Sequence, residues 1–163
     1  MNNGFSELIT FGNNVKQIRM KRGLSITKAA ECIEYDRGCW SKMEKGQQDI
    51  QITTALKIAK MLDVYLPLLF SRNSFYSSGN EIIRGFVNED YSMIFASNVK
   101  RALEKLNKKQ VYIYAVTGMD ESNINKILSE KSNNPQMSTL IKISTELKQD
   151  IGFMLRRNDN LKG

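Results

Sequence analysis

The chain has no histidine among its 163 residues. That absence removes the imidazole general base, the Ser-His-Asp triad and the commonest metal ligand. Cysteine is scarce as well. Cys32 and Cys39 stand alone, too few for a disulfide framework or a four-ligand zinc site. They sit seven apart with a turn expected between them, so inert thiols are the default reading and a redox switch the alternative. No apolar run approaches the roughly 20 residues that a spanning helix needs, and Met1 to Phe11 has no basic region followed by an apolar core. Free thiols and the lack of these signals point to a cytoplasmic protein with no membrane partner. No phosphate-cradling glycine loop, metal cluster or acid/base carboxylate pair can be assembled, so the reading is of a non-enzyme without a cofactor. Asp120-Glu121 reads as a helix cap and first turn instead.

What is present is the balance of a folded domain: 41% hydrophobic and 25% charged residues, beyond the range of a disordered chain. Twenty-four basic residues against seventeen acidic ones leave a net charge of +7, which suits a polyanionic partner, nucleic acid first. The excess is spread evenly. Residues 1–80 hold 11 basic and 7 acidic side chains, and residues 81–163 hold 13 and 10. Charge alone therefore does not separate a binding face from a solvated one.

The most informative feature is internal similarity. Phe11, Asn14 and Val15 recur as Phe95, Asn98 and Val99 at a spacing of 84, as do Asp36, Lys42 and Met43 in Asp120, Lys126 and Ile127. Thr54, Lys57, Ile58 and Leu62 recur at 85 as Thr139, Lys142, Ile143 and Leu147. One extra residue thus enters the second copy between Ser129 and Gln136. Two copies read as a duplicated small domain, since a solenoid needs three or more units.

Each copy reads as helical. Phe5, Leu8, Ile9, Val15 and Ile18 recur largely at 3–4 spacing before Gly23, and Ile94, Phe95, Val99, Ala102, Leu103 and Leu106 do the same in the second copy. Ser25 caps a helix to about Ile33, and Asp36 caps one from Arg37 to about Lys45, ended by Gly46. Helices over Thr53–Leu62 and around Leu66–Phe70 follow. The second copy predicts Gln110–Val116, Glu121–Ser129 and Thr139–Leu147, with β-prone Val111–Ala115 read as helix from its place in the repeat. Prolines are only Pro67 and Pro135, both near helix edges, and the methionines fit core positions. Ser71–Gly79 reads as a linker. Glu81–Met93, with Ile82, Ile83, Phe86 and Val87, is apolar enough for a short helix packing between the copies. Phe75-Tyr76 serves as a partner anchor or as a staple for the linker. The expected division is 5–72, linker 73–92, and 93–157.

Two short helices around a tight turn, the second capped and partly basic, form the helix-turn-helix layout. Leu24-Ser25, Ala29-Ala30, Asp36, Trp40-Ser41-Lys42-Met43-Glu44, Gly46 and Ala55-Leu56-Lys57-Ile58-Ala59 resemble the Cro/C1-type, phage-repressor-like (XRE) family. The second copy is similar through Thr117-Gly118-Met119-Asp120, Ile124-Asn125-Lys126-Ile127-Leu128, Asn134-Pro135 and Thr139 to Ile143. The resemblance implies an all-α chain of two lambda-repressor-like five-helix bundles in tandem. It also implies a sequence-specific double-stranded DNA-binding transcriptional regulator, a repressor by preference, of the kind found in bacteria, phages and mobile elements.

By the family pattern, base edges fall to Arg37, Gly38, Ser41 and Lys42. Arg37 suits a bidentate pair to guanine. Lys45, Gln47 and Gln48 suit phosphates. The second copy offers Glu121, Ser122, Asn125 and Lys126, with Lys131, Asn133 and Asn134 in the following loop. Glu121 can accept from a cytosine amino group but is repelled by phosphates. Where the family places a phosphate-binding glutamine, the first copy has Ile26 and the second has Gln110. Tyr114 replaces the small Ala30 where the two helices meet, which disturbs their expected crossing. Lys108-Lys109 reads as a solvated corner, with a place near phosphate as the alternative. Trp40 falls at a core position rather than a base-stacking one. The resemblance also pairs Arg19 with Glu44, and both become leucine, Leu103 and Leu128, in the second copy. The alternative is that only the first copy binds DNA, and the second is a dimerisation or protein-partner module, as in antitoxin-like regulators. A homodimer and a protein or peptide partner are therefore the further associations expected.

Overall fold

The computed structural model describes residues 4–72, 85–129, 131 and 133–157. The described chain is all-helical. Helices α1 (Gly4–Lys21), α2 (Ile26–Cys32), α3 (Arg37–Glu44) and α4 (Ile52–Leu62) lead to a 3-10 turn at Leu66–Phe70. Helices α5 (Tyr91–Lys105), α6 (Val111–Thr117), α7 (Glu121–Ile127), α8 (Met137–Glu146) and α9 (Ile151–Met154) follow.

Local chemistry sets most boundaries. Ser25 Oγ accepts from Lys28 N–H at 3.1 Å and opens α2, and Asp36 Oδ1 accepts from Cys39 N–H at 2.8 Å and opens α3. Gly23 and Gly46 end α1 and α3 with φ of 70° and 71°, a region where a Cβ is costly. At Gly46 space is short as well, because a Cβ would lie 2.7 Å from Ile9 Cα.

The 3–4 spacing of α1 places Leu8, Phe11, Val15 and Ile18 in the core, and α5 does the same with Phe95, Val99, Ala102 and Leu103. Trp40, Met43, Ala55, Ile58, Leu62, Leu66 and Leu69 complete the first half, and Ile113, Ile124, Leu140, Ile143 and Leu147 the second. Several expected core residues lie outside instead. Ile9 and Leu106 are 45% and 47% exposed, because a stripe facing one core occupies only part of a helix's circumference. Met20 and Met93 are exposed for the same reason, whereas Met43, Met137 and Met154 are buried.

The segment expected to be helical before the second copy is corrected. Residues 85–90 run without regular structure, and α5 begins at Tyr91, inside the expected linker 73–92. Asp90 sets this start by accepting from Met93 N–H. Two bonds tie this segment down: Phe86 N–H donates to Asp63 Oδ1 at 3.1 Å, and Val87 C=O accepts from Tyr91 Oη–H at 2.7 Å. Phe86 and Val87 pack half-buried on the core. Phe75, Tyr76, Ile82 and Ile83 lie outside the described residues.

The repeat reappears as repeated bonding. Asn14 Nδ2 donates to the C=O of Leu69 and Ser71, both at 2.9 Å, tying α1 to the 3-10 turn. Asn98 Nδ2 donates to the C=O of Met154 and Arg156, at 2.8 and 2.9 Å, tying α5 to α9. Both asparagines are buried, so each satisfies carbonyls that the last helix of its half cannot.

Between the halves, Gln51 and Gln136 form an isolated antiparallel bridge. Ile52 N–H donates to Pro135 C=O at 2.9 Å, and Met137 N–H donates to Ile50 C=O at 2.7 Å. Side chains cap across the same junction. Asp49 Oδ1 accepts from Ser138 N–H at 3.1 Å and Asp49 Oδ2 from Ser138 Oγ–H, while Asn134 Oδ1 accepts from Thr53 N–H at 3.1 Å. The Leu66–Phe70 turn packs on α9, where a Cβ on Gly152 would sit 3.0 Å from Pro67 O.

One close approach carries a stability prediction. A Cβ on Gly12 would fall on the carbonyl oxygens of Met43 and Glu44, the latter at 2.6 Å, so α1 crosses the end of α3 backbone to backbone. These are not flexible side-chain ends that could move aside. Gly12→Ala should therefore cost about 1–3 kcal/mol, as overpacking does, despite alanine's better helix propensity. Urea unfolding should show a lower midpoint with an unchanged slope; a midpoint equal to the parent's would refute the close crossing.

Candidate nucleic-acid interface

The first half builds an outward face from an inward anchor. Small, buried Ala29 and Ala30 let α2 meet α3, and Tyr35 N–H returns to Ala30 C=O at 2.9 Å to close the turn. Trp40 and Met43, both buried, fix the inner side of α3. Helical spacing then sets Gly38 and Lys42 on the opposite, exposed side, with Ser41 half-buried at its edge and Arg37 exposed at the first turn. A Cβ on Gly38 would meet only Asp36 Oδ1, the oxygen that caps α3, but tightly, at 3.1 Å. Lys45 and Gln47 are exposed just after the helix. Gln48 is half-buried and donates to Asp49 C=O at 3.2 Å, which turns part of its polar capacity inward.

Trp40 offers no face for base stacking. It is fully buried, and its Nε1–H donates to Glu44 Oε1 at 2.8 Å. Glu44 also receives Arg19: Nε to Oε1 at 2.5 Å and Nη2 to Oε2 at 3.2 Å. Arg19 Nη1 reaches Leu24 C=O at 2.7 Å, so one guanidinium ties α1 to α3 and to the loop before α2. The matching pair in the second half, Leu103 and Leu128, is buried.

Titratable groups near α3 favour the bland reading of its cysteine. Asp36 is held below the ordinary carboxylate range by the Cys39 N–H it accepts. The Cys39 thiol is pushed up by desolvation and by Asp36, the opposite of what an activated thiolate requires. Burial likewise raises the Tyr35 phenol. Both cysteines are free.

The second half repeats the layout with different polar traffic. Gly118, with φ of 66°, ends α6, and Asp120 opens α7. Glu121, Ser122, Asn125 and Lys126 are exposed, with Ile124 and Ile127 buried behind them. Gln110 is not free to meet a phosphate as expected. Its Nε2 donates to Tyr114 Oη at 2.7 Å and to Asn125 Oδ1, and Tyr114 Oη–H donates to Asn125 Oδ1 at 2.9 Å. The Tyr114 ring lies half-buried at the junction, and its hydroxyl joins the two helices. Asn133 is also engaged, its Nδ2 meeting the C=O of Lys126 and Lys131 at 3.3 Å, while Lys131 is exposed. Asn134 caps α4 from across the junction rather than extending the α7 face. Lys108 Nζ lies 5.4 Å over the Tyr112 ring.

Sequence reasoning missed three groups. Asp49 and Asn134 are reciprocal caps whose signal was their shared offset of 85. Arg22 donates twice to Leu62 C=O, at 3.2 and 3.0 Å, capping α4. Thr27 and Lys28 are exposed on the first turn of α2.

Elsewhere, a cleft of about 350 Å³ lies between α4 and the start of α5, lined in part by Leu56, Glu89, Asp90 and Tyr91. Its carboxylates have structural duties: Glu89 pairs with Arg157 at 2.7 Å, and Asp90 caps α5. Among the described residues no group of three His, Cys, Asp or Glu could hold a metal, and no helix is long and apolar enough to cross a membrane. No protein-family model matches the chain, nor does any curated protein or solved structure.

Proposed function

We propose that the chain is a sequence-specific double-stranded DNA-binding transcriptional regulator, a repressor of the Cro/C1 type, and not an enzyme. In this reading residues 5–72 and 93–157 are two lambda-repressor-like five-helix units. The observation that carries it is the α2–α3 pair. A capped second helix is fixed by Trp40 and Met43, with Arg37 and Lys42 exposed and Ser41 half-buried. A helix so anchored fits a major groove about 12 Å wide, where Arg37 and Lys42 donate to guanine O6 and N7 and Ser41 bonds either base type. Lys45 and Gln47 then meet phosphates.

A second reading gives the second half a partner role, with DNA read by the first half alone. Its support is specific: Gln110, the oxygen of Asn125, and Asn133 are spent on internal bonds, and Glu121 faces outward where phosphate would repel it. Selection of duplexes from a random pool tests the main reading. Recovered sites should share a motif, and log affinity should fall linearly with log salt, about 0.9 per phosphate neutralised. A chain that enriches no motif, with salt-insensitive affinity, would overturn it.

A further inference from the structure

The hydrogen bonds at the junction between the halves are reciprocal. Ile52 to Pro135 is answered by Met137 to Ile50, and the cap of Asp49 on Ser138 by that of Asn134 on Thr53. In each of these four bonds residue i of one half meets the counterpart of its own partner, 85 positions on, whereas the packing of α1 on α8 has no equal between α5 and α4. That exchange is the mark of an isologous, two-fold interface, here made within one chain. Asymmetric linkage of two beads would not produce it.

We propose that the two halves form one rigid internal pseudo-dimer, and that its ligand is a duplex carrying two unequal, inverted half-sites bound by a single chain. This rests on the DNA-binding reading above and specifies its substrate. The bridge lies close to both reading helices. Seven residues separate Glu44 from Gln51, and nine separate Ile127 from Gln136. At roughly 3.3–3.6 Å per residue, the helix ends lie within about 25 and 32 Å of the pseudo-axis. Those upper limits leave room for two heads placed ~34–36 Å apart, the separation of half-sites one helical turn apart.

The faces are related but not equal, and the difference is specific. Lys42 and Lys126 match, so the base pairs beneath them obey the two-fold. Arg37 is matched by Glu121, a donor replaced by an acceptor. Guanine under Arg37 is then paired, across the axis, with cytosine under Glu121, and palindromy breaks at that base pair. A homodimer presents the same face twice, whereas this chain presents two different ones. A self-association surface is also unnecessary, because the reciprocal contacts are already made internally.

The test uses the full chain on duplexes selected from a random pool, with footprinting and native mass spectrometry. One chain per duplex is expected, protecting two inverted half-sites that differ at one symmetry-related base pair. Arg37→Ala should relax one half-site and Glu121→Ala the other. A perfect palindrome built from either half should bind about tenfold more weakly than the selected site. Three base pairs inserted at the centre should weaken the parent at least tenfold, and Asp49→Ala with Asn134→Ala should soften that penalty. Two chains on a palindrome, half-sites in direct repeat, protection of one half-site only, or indifference to the insertion would each overturn the pseudo-dimer while leaving DNA reading intact. Failure to enrich any duplex would remove both.

Discussion

Arg19→Leu is expected to lower stability by about 3–5 kcal/mol, the loss typical when one member of a buried ion pair is removed. Arg19 and Glu44 side chains are only 8% and 5% exposed, so the abandoned Glu44 carboxylate gains little from solvent. Arg19 also bonds the Leu24 carbonyl, so its loss releases the loop before α2 as well. The melting temperature should fall by on the order of 10 °C for a chain of this size. Adding Glu44→Leu should recover most of the loss, since two apolar groups replace two charges. Recovery should be incomplete, because Trp40 Nε1–H then loses its acceptor and remains buried, at about 1–3 kcal/mol. Trp40→Phe in the double variant removes that donor and should restore part of the remainder. The molecule already contains this solution. Leu103, Ile124 and Leu128 stand where Arg19, Trp40 and Glu44 stand in the first half, all buried and without an indole N–H. Thermal unfolding of the single, double and triple variants decides it: equal melting temperatures for single and double would show that the pair is not coupled.

That triplet shows what a sequence can disclose. Two leucines at one offset from an arginine and a glutamate mark a contact, because changing either alone is penalised by desolvation. The indole bond was not legible, since a core aromatic is expected from apolarity alone and its N–H partner depends on side-chain direction. The helices of both halves were legible for a similar reason. Caps at Ser25, Asp36 and Asp120 and the left-handed glycines at 23, 46 and 118 act over a few residues. What escaped was long-range. Asp49 and Asn134 read as loop polars, and only packing between the halves turns them into caps for helices 89 and 81 residues away. Gln110 was assigned to phosphate from its place at the start of α6. Tyr114 and Asn125 compete for its amide, and neither bond is visible in local spacing. The apolar 81–93 segment misled in another way. Its composition fits a helix, but Phe86 N–H is bonded to Asp63 and Val87 C=O to the Tyr91 hydroxyl, and the segment from 85 to 90 has no regular structure.

Arg37→Ala with Lys42→Ala should cost the first half roughly 2–4 kcal/mol of discrimination on a selected duplex, about 30- to 1000-fold in affinity. Both side chains are exposed, so the melting temperature should stay within a degree or two. Loss of binding with retained stability is thus the signature of a reading face, and loss of both would indicate that α3 had been disturbed. The two residues should also be separable. Arg37 acts through paired donors in a fixed fork, so Arg37→Lys should keep charge and the salt slope yet lose base preference. A lysine contributes a compact charge, so Lys45→Ala, placed for phosphate, should weaken all duplexes alike and reduce the salt slope by about one. If Arg37→Lys kept full preference while Lys45→Ala changed it, the assignment of base and phosphate roles along α3 would be inverted. Equal affinity of the Arg37→Ala, Lys42→Ala chain and its parent for the selected duplex would place the reading surface elsewhere in the molecule.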